Sequence, residues 1–214
     1  MERKSSFGLK NHGIVNVRSE DWNLDAAPLY EATLARGLGH LSAGGALVVT
    51  STERARDLSR PPVHLLGAAE ATGAPMVSQM PDLTTSDAFR RAGAAALAQA
   101  GLTLRDIDHA MLYDALAVLP LMALEDLGFV ERGQSVEFVA SGATAPGGRL
   151  PVNTTGGGLS YTHSGMYGMY AVLEAVRQLR GEAAAQVPGV RTSLVHAIGG
   201  MFQAAATLVL AADR

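Results

Sequence analysis

The stretch Asn153–Tyr170, NTTGGGLSYTHSGMYGMY, places a tyrosine and a histidine among closely spaced glycines. Five of its glycines fall within thirteen residues, whereas a surface turn needs one or two. This density indicates that the backbone comes close to another group. Glycines ahead of a helix can also present N–H groups to an anion or a developing oxyanion. The residues alone leave a second interpretation open, a flexible turn whose histidine and tyrosine point to water.

Hydrophobic periodicity on either side of this stretch predicts alternating strands and helices. Serine or threonine before an apolar run marks a helix start, and glycine after it marks a helix end. The segment 131–152 is rich in glycine and proline and is predicted to be a loop. The pattern predicts helices at 25–37, 51–60, 85–100, 119–129 and 166–180, and strands at 45–51, 63–72, 109–113, 191–200 and 205–212.

This order of elements predicts an α/β fold. Alternating strands and helices are typical of a mixed, mostly parallel sheet that is flanked by helices. The last two strands are predicted to form a β-hairpin in the middle of the sheet, joined by a tight turn at Gly199–Gly200. No linker-like segment divides the chain into independent domains.

Composition narrows the function classes. The 214 residues carry a net charge of −3 and no basic stripe, which argues against a nucleic-acid partner. The absence of cysteine excludes disulfides and thiolate metal sites, and the six histidines show no ligand spacing, so no metal site is predicted. The N-terminus lacks the apolar run of a signal peptide, and no apolar stretch reaches the roughly 20 residues of a membrane span. A cytoplasmic protein is predicted.

Besides the glycine stretch, two sites carry residues suited to chemistry. His196 lies in VHAIGG, at the predicted junction of a strand and a glycine turn, where it could donate to an oxyanion or serve structure alone. Tyr113 and Asp114 lie in LYDALA, at a strand end where open α/β sheets bind ligands. By contrast, the charged stretches EDLGF and EAVRQLRGE are predicted to be solvated helix faces.

These motifs, in this order, resemble the C-terminal half of the thiolase superfamily over residues 42–214. YDALA, VNTTGGGLSYTHSGMYG and LVHAIGGMF match the three motifs that meet at the active site of that family. GALVVTSTERARDL is similar to the last strand and following helix of the family's first half. The resemblance therefore implies a remnant of the first half at 1–62 and a C-terminal domain at 63–214. Among subgroups, the chain is most similar to lipid-transfer-protein-like thiolases, which include aldolases that shorten steroid side chains.

The resemblance implies a site for an acyl-CoA thioester, with coenzyme A as part of the substrate and no further cofactor. His163 takes the position of the family's active-site histidine. The implied catalytic residues are His163, Tyr161, Tyr113 and His196. The implied substrate-binding residues are Asn153, Gly156, Gly157, Gly158, Asp114, Gly199 and Gly200.

The departures from the family pattern separate three hypotheses. Covalent thiolysis needs a cysteine, and the chain has none, while Tyr113 stands where the family has asparagine and Ser164 where it has proline. The first hypothesis is an aldolase-like lyase. The alternatives are part of a split acyltransferase with its cysteine on another chain, and a non-catalytic subunit that binds lipid-CoA. One half of a thiolase should expose a wide apolar face, so the expected partner is a second copy, a first-half chain, or a small OB-fold protein with a zinc ribbon.

Overall fold

The computed structural model describes residues 45–160 and 167–213. The predicted helix at 25–37 and most of the predicted first-half remnant lie outside these residues. The described helices are α1 (Thr52–Ala55), α2 (Asp87–Ala100), α3 (Val118–Asp126), α4 (Ser135–Ala140), α5 (Gly157–Ser160) and α6 (Tyr167–Arg180). The strands are β1 (Val63–Thr72), β2 (His109–Leu112), β3 (Thr192–Gly199) and β4 (Ala204–Ala212), and short 3₁₀ turns lie at Val77–Gln79 and Leu104–Asp106.

The four strands form one mixed sheet in the order β1-β4-β3-β2, which confirms the predicted fold class. β1, β2 and β3 run in one direction, and β4 alone runs against them. Because β4 is the return strand of the C-terminal hairpin and lies between β1 and β3, only β2 and β3 pair in parallel. The hairpin occupies the centre of the sheet, as predicted.

The sheet buries a separate apolar cluster on each face. Residues alternate between the faces along each strand, because successive side chains of a strand point in opposite directions. Helix α2 covers one face, and its packing includes Phe89, Leu112 and Leu194. Helix α6 covers the other face, against Met111 and Val195. We call these the α2 face and the α6 face.

Local sequence signals explain the two covering helices. Ser86 caps α2 by accepting a hydrogen bond from the backbone N–H of Phe89, and Gly101 ends it with a left-handed φ of 65°. Gly181 follows α6 with a φ of 73°. α6 is buried on nearly every side. Leu47, which precedes α1 in the chain, packs on the same apolar cluster.

Several predicted elements differ from the structure. The segment 45–50, predicted to be a strand, has no regular secondary structure, and Val48 and Val49 are 50% and 81% exposed. Its β-branched run satisfies the strand pattern, but the described part of the chain places no neighbouring strand beside it. The helix predicted at 51–60 is only the four-residue α1, and the predicted loop at 131–152 contains α4. The hairpin turn is also longer than predicted, since Gly199 pairs with Ala204.

In the described sheet, β1 is the edge strand on the side away from β2, and we call it the outer edge. Its pairing with β4 is interrupted by a bulge between Leu65 and Gly67. The backbone N–H of Ala68 donates to Oε1 of Gln99 on α2 at 2.7 Å. A Cβ at Gly67 would overlap the backbone of Ala96, so glycine allows strand and helix to approach this closely. The edge is therefore irregular, and one of its donors is already used.

Candidate functional site

The motifs of the sequence converge at the edge of the sheet where β2 and β3 end. Tyr113 follows β2, and its backbone N–H donates to the carbonyl of His196 on β3 at 3.0 Å. The glycine turn Asn153–Gly158 lies beside them. The carboxyl ends of neighbouring parallel strands are where open α/β sheets bind ligands. The structure thus places Tyr113, Asp114 and the glycine turn together, as predicted.

Asn153 attaches the glycine turn to β2. Its Oδ1 accepts from the backbone N–H of Leu112 at 2.8 Å, and its Nδ2 donates to the carbonyl of Leu112 at 2.7 Å. Its own N–H donates to the carbonyl of Ala110, and its φ is 52°. The amide was predicted to bind substrate, but these bonds leave it in a positioning role.

Asp114 holds the other end of the turn. Its carboxylate is buried and accepts from the backbone N–H groups of Gly158, at 2.5 Å, and Leu159, at 3.3 Å. The N–H of Gly157 donates to Oγ1 of Thr155, and that of Gly156 to the carbonyl of Asn153. All three glycine N–H groups therefore have internal acceptors, and the expected cradle for a thioester oxygen does not form from them.

The dense glycines allow the Asp114 carboxylate to touch the backbone. Gly157 has a φ of 71°, and a Cβ there would overlap that carboxylate. Gly156 also has a positive φ, of 93°. The close approach inferred from the sequence is therefore real, but within the described residues the approaching group belongs to the protein. Asp114, predicted to bind substrate, is committed to the turn.

Tyr113 has the exposure and surroundings of a reacting group. Its ring stacks on Tyr167 of α6, with centroids 5.2 Å apart and planes 19° apart. The side chain is half-buried, and no described residue hydrogen-bonds its hydroxyl. Desolvation, with a contribution from the Asp114 charge, raises the pKa of Tyr113 above its ordinary value of 10.0. The phenol is thus protonated at neutral pH and available as a proton donor.

His196 was predicted to join this site, and the structure places its side chain elsewhere. It lies on the α2 face and is 1% exposed. Its ring makes a T-shaped contact with the ring of Phe89, with centroids 4.6 Å apart. Its Nδ1 pairs with the hydroxyl of Thr207 at 2.8 Å, and its Nε2 is buried without a hydrogen-bond partner among the described residues. Burial lowers its pKa to about 4. Strand alternation explains the correction, because residues 113 and 196 point to opposite faces.

Gly199 and Gly200 lie at the exposed end of the hairpin. The turn after them is strained, since Met201 and Phe202 have φ values of 50° and 71° without being glycine. Strain of this kind is common at functional sites and is consistent with the predicted role of the turn in binding.

Sequence reasoning missed a buried polar cluster on the α6 face. His109 and Glu174 are 0% and 4% exposed, and they meet at the hydroxyl of Thr154. Gln178, 1% exposed, joins them from the next turn of α6. The prediction that EAVRQLRGE is a solvated face is therefore wrong. EDLGF is not simply solvated either, because Asp126 accepts from the backbone N–H of Ser86 at 2.6 Å. The available signal was Glu174 itself, which interrupts an apolar run between Tyr170 and Val176.

Two predicted catalytic residues, Tyr161 and His163, lie outside the described residues, and their roles stay predictions. Among the residues described, no three His, Asp or Glu side chains come together in a way that could hold a metal ion. No helix of the described ranges is long and apolar enough to cross a membrane.

Comparison with known families now decides the classification. Residues 68–212 match the family model for the thiolase C-terminal domain-like proteins. The chain belongs to this family. The thiolase C-terminal domain thus accounts for β2, β3, β4 and the second half of β1, and the resemblance noted from the motifs is confirmed. The division of the chain at residue 62 stays a prediction.

Two curated relatives of this domain and one solved structure have the names of aldolases or lyases. A steroid side-chain-cleaving aldolase of Thermomonospora curvata is 42% identical over 175 residues, which are 80% of this chain and 44% of the aldolase. A 17-hydroxy-3-oxo-4-pregnene-20-carboxyl-CoA lyase of Mycobacterium tuberculosis is 40% identical over 160 residues, 73% of this chain and 41% of the lyase. The solved Ltp2-ChsH2(DUF35) aldolase superimposes with a TM-score of 0.70 at 40% identity, covering 76% of this chain and 43% of that chain. The thiolase domain described here thus spans less than half the length of these relatives.

Proposed function

We propose that this chain forms the C-terminal half of a catalytic centre that cleaves a carbon–carbon bond next to a coenzyme A thioester by a retro-aldol reaction. The curated relatives described above are an aldolase and a CoA lyase. The sequence contains no cysteine, and a retro-aldol cleavage needs no acyl-enzyme. Because the chain spans less than half of these relatives, the activity is proposed for an assembled protein.

The proposed substrate is a 3-hydroxyacyl-CoA. A base removes the proton of the 3-hydroxyl group, and the bond between C2 and C3 breaks as C3 becomes a ketone carbonyl. The electron pair of that bond passes into the thioester as an enolate. An acid then protonates C2, which gives a ketone and a shortened acyl-CoA. The site must therefore supply a base, an acid and donors for the enolate oxygen.

The position of Tyr113 is the observation that carries this proposal. Tyr113 follows the carboxyl end of β2, its hydroxyl has no hydrogen-bond partner among the described residues, and its raised pKa keeps the phenol protonated, so that it has a proton to give to C2. We assign the base to His163 and an enolate-oxygen donor to Tyr161, from the family motif. Asn153 and Asp114 hold the glycine turn beside Tyr113, and we assign Gly199 and Gly200 to the substrate-binding rim at the hairpin end.

Exposed apolar side chains near the site favour a bulky apolar acyl group. Leu116 and Val118 follow the Tyr113–Asp114 pair and are 57% and 49% exposed. Leu159, 58% exposed, follows the glycine turn, and Met201, 76% exposed, lies in the strained hairpin turn. A polycyclic or steroid-like acyl group would cover such a rim, in keeping with the substrates that the names of the relatives state.

We also propose that the chain works within a complex. The segment 45–50 is apolar and pairs with no strand among the described residues, and Val49 is 81% exposed. A partner that supplies a first thiolase half would cover this segment by pairing with it. A small OB-fold chain with a zinc ribbon is a further proposed partner, and the two-part name of the Ltp2-ChsH2(DUF35) aldolase supports a two-component assembly. The cytoplasmic location stays a prediction.

The proposal is tested with the protein purified together with whatever chains accompany it. A panel of 3-hydroxyacyl-CoA thioesters with linear and polycyclic acyl groups is incubated with it, and ketone and shortened acyl-CoA are quantified by mass spectrometry. Tyr113→Phe should lower kcat at least about 100-fold. Tyr170→Phe, which changes a buried tyrosine farther along α6, should change kcat less than about threefold. Thiolysis by added free coenzyme A without ketone release would instead favour acyl transfer with a partner's cysteine.

A further inference from the structure

Thr154 is the centre of the buried polar cluster on the α6 face. Its Oγ1 donates to Oε1 of Glu174 at 2.5 Å and accepts from Nε2 of Gln178 at 3.1 Å. Nε2 of His109 lies 3.2 Å from the same oxygen. Nδ1 of His109 lies 2.9 Å from the hydroxyl of Ser193 on β3. The hydroxyl of Thr154 thus joins β2 and α6 to the glycine turn, and His109 extends the connection to β3.

The direction of the bond between Thr154 and Glu174 decides the tautomer of His109. A hydroxyl has one proton to donate and can accept two hydrogen bonds. The proton of Thr154 goes to Glu174, so His109 must donate to Thr154 through Nε2–H. Nδ1 of His109 then accepts from Ser193. The carboxylate at one end thereby sets the tautomer of the imidazole at the other.

The cluster acts on the residues that build the site. Thr154 lies between Asn153, which is bonded to β2, and Thr155, whose hydroxyl accepts from the N–H of Gly157. Glu174 is two helical turns beyond Tyr167, so one face of α6 both stacks on Tyr113 and holds Thr154. A shift of Thr154 would move the glycine turn and the Asp114 carboxylate bonded to it.

We propose that Glu174, acting through Thr154, is a positioning residue that fixes the glycine turn and, through it, Asp114 and Tyr113. The effect of this positioning on turnover rests on the proposed retro-aldol function. The arrangement of the turn itself does not, and it can be measured separately. Glu174 reaches no substrate in this arrangement, so its contribution is the geometry of the groups that do.

The first experiment needs no substitution. Long-range ¹H–¹⁵N spectra of the full chain, with any partner chains that copurify, report the tautomer of each histidine. We expect His109 to carry its proton on Nε2 throughout pH 6 to 8. A proton on Nδ1 would overturn the proposal, because the hydroxyl of Thr154 would then point to His109 and not to Glu174.

The second experiment compares Thr154→Val with Thr154→Ser. Valine keeps the shape of threonine and removes the hydroxyl, whereas serine keeps the hydroxyl. Hydrogen exchange of the backbone N–H groups of Gly158 and Leu159 should speed up at least about tenfold in Thr154→Val and stay within about threefold in Thr154→Ser. Exchange of Leu194 and Val209 in the core serves as the internal reference. Unchanged exchange at Gly158 in Thr154→Val would overturn the proposal, as would equal acceleration at all four amides.

Activity separates this inference from the proposed function. If the assembled protein cleaves 3-hydroxyacyl-CoA, Thr154→Val should lower kcat about tenfold with KM within about twofold, and Thr154→Ser should restore kcat. A rise in KM alone would contradict the positioning role. If the protein cleaves no acyl-CoA, the proposed function fails, while the tautomer and exchange results still decide the inference. Should Thr154→Val fail to fold, the wild-type tautomer still decides it.

Discussion

The two faces of the sheet each bury one histidine, and the two are used differently. His109 on the α6 face has a partner at both ring nitrogens. Within the part of the chain that the structure describes, His196 on the α2 face has one partner, Thr207, and its Nε2 beside Phe89 has none. Burial lowers both pKa values to about 4. Depth and protonation state are therefore the same, and only the partners distinguish a member of a polar cluster from a residue in apolar packing.

The candidate site lies on only one of these two faces. The α6 face holds the glycine turn, Tyr113 and the cluster around Thr154, whereas the α2 face is closed by apolar packing. A histidine near a glycine motif in sequence belongs to the site only if strand alternation puts it on that face. The side chain of His196 lies on the α2 face, whereas that of His109, which lies in no motif, is on the α6 face.

Acid should destabilise both faces alike, and this is the largest effect that we expect. Above pH 6.5 both histidines are neutral in the folded and the unfolded chain. Between pH 6.5 and 4 the unfolded chain binds protons that the folded chain does not, so the free energy of unfolding falls as pH falls. Folded pKa values of about 4 give roughly 3 kcal/mol for each histidine. Urea unfolding at pH 7, 5.5 and 4.5 measures the loss.

His196→Leu is the control for that prediction. It should remove about half of the loss in this pH range, because one of the two titrating groups is gone. An undiminished loss would show that carboxylates, and not the buried histidines, set the acid sensitivity.

Gly157→Ala tests the crowding that is specific to the α6 face. Its φ of 71° is unfavourable for alanine, and the new Cβ would overlap the Asp114 carboxylate. Gly181→Ala is a matched control, with a φ of 73° and no atom within 4 Å of the new Cβ. We expect about 4 kcal/mol of destabilisation for Gly157→Ala and about 1 kcal/mol for Gly181→Ala, measured by urea unfolding at pH 7. Equal losses would mean that Asp114 moves away easily.

Replacing each histidine by leucine at pH 7 tests the comparison directly. His109→Leu removes the partner of the Ser193 hydroxyl and one of the three hydrogen bonds of Thr154 in a buried cluster, and it should cost about 3 kcal/mol. His196→Leu loses one hydrogen bond to Thr207 but also removes the unpartnered Nε2, so it should cost about 1 kcal/mol or less. The two faces would have to be considered equivalent if the two variants unfolded at the same urea concentration.

The smallest expected effect concerns the cap of the helix on the α2 face. Ser86→Ala removes the side-chain acceptor for the N–H of Phe89 and should lower stability by about 1 kcal/mol. Ser51→Ala, at the exposed four-residue helix α1, should change it by less than about 0.5 kcal/mol. Thermal unfolding followed by circular dichroism would compare them. A larger loss at Ser51 would show that α1 is more important for stability than its exposure indicates.

Much of the fold follows from local patterns in the sequence. Strand β1 and helix α2 were predicted within a residue or two, because periodicity and capping signals mark both. Gly45–Thr50 has the same apolar β-branched pattern and forms no strand, since strand formation depends on a neighbour that sequence does not reveal. The motifs indicated the candidate site. They could not show that the N–H of Gly158 donates to Asp114, which lies more than 40 positions earlier in the chain. Glu174 was missed because its burial depends on tertiary packing.

The irregular outer edge of the sheet affects how this chain can associate with other chains. A straight, open edge of ten residues would offer hydrogen bonds to any extended peptide and would favour fibrils. Here the bulge between Leu65 and Gly67 disturbs the register that an added strand would need, and Gln99 occupies the N–H of Ala68. Within the described residues, this edge is therefore less able to add a strand from another chain.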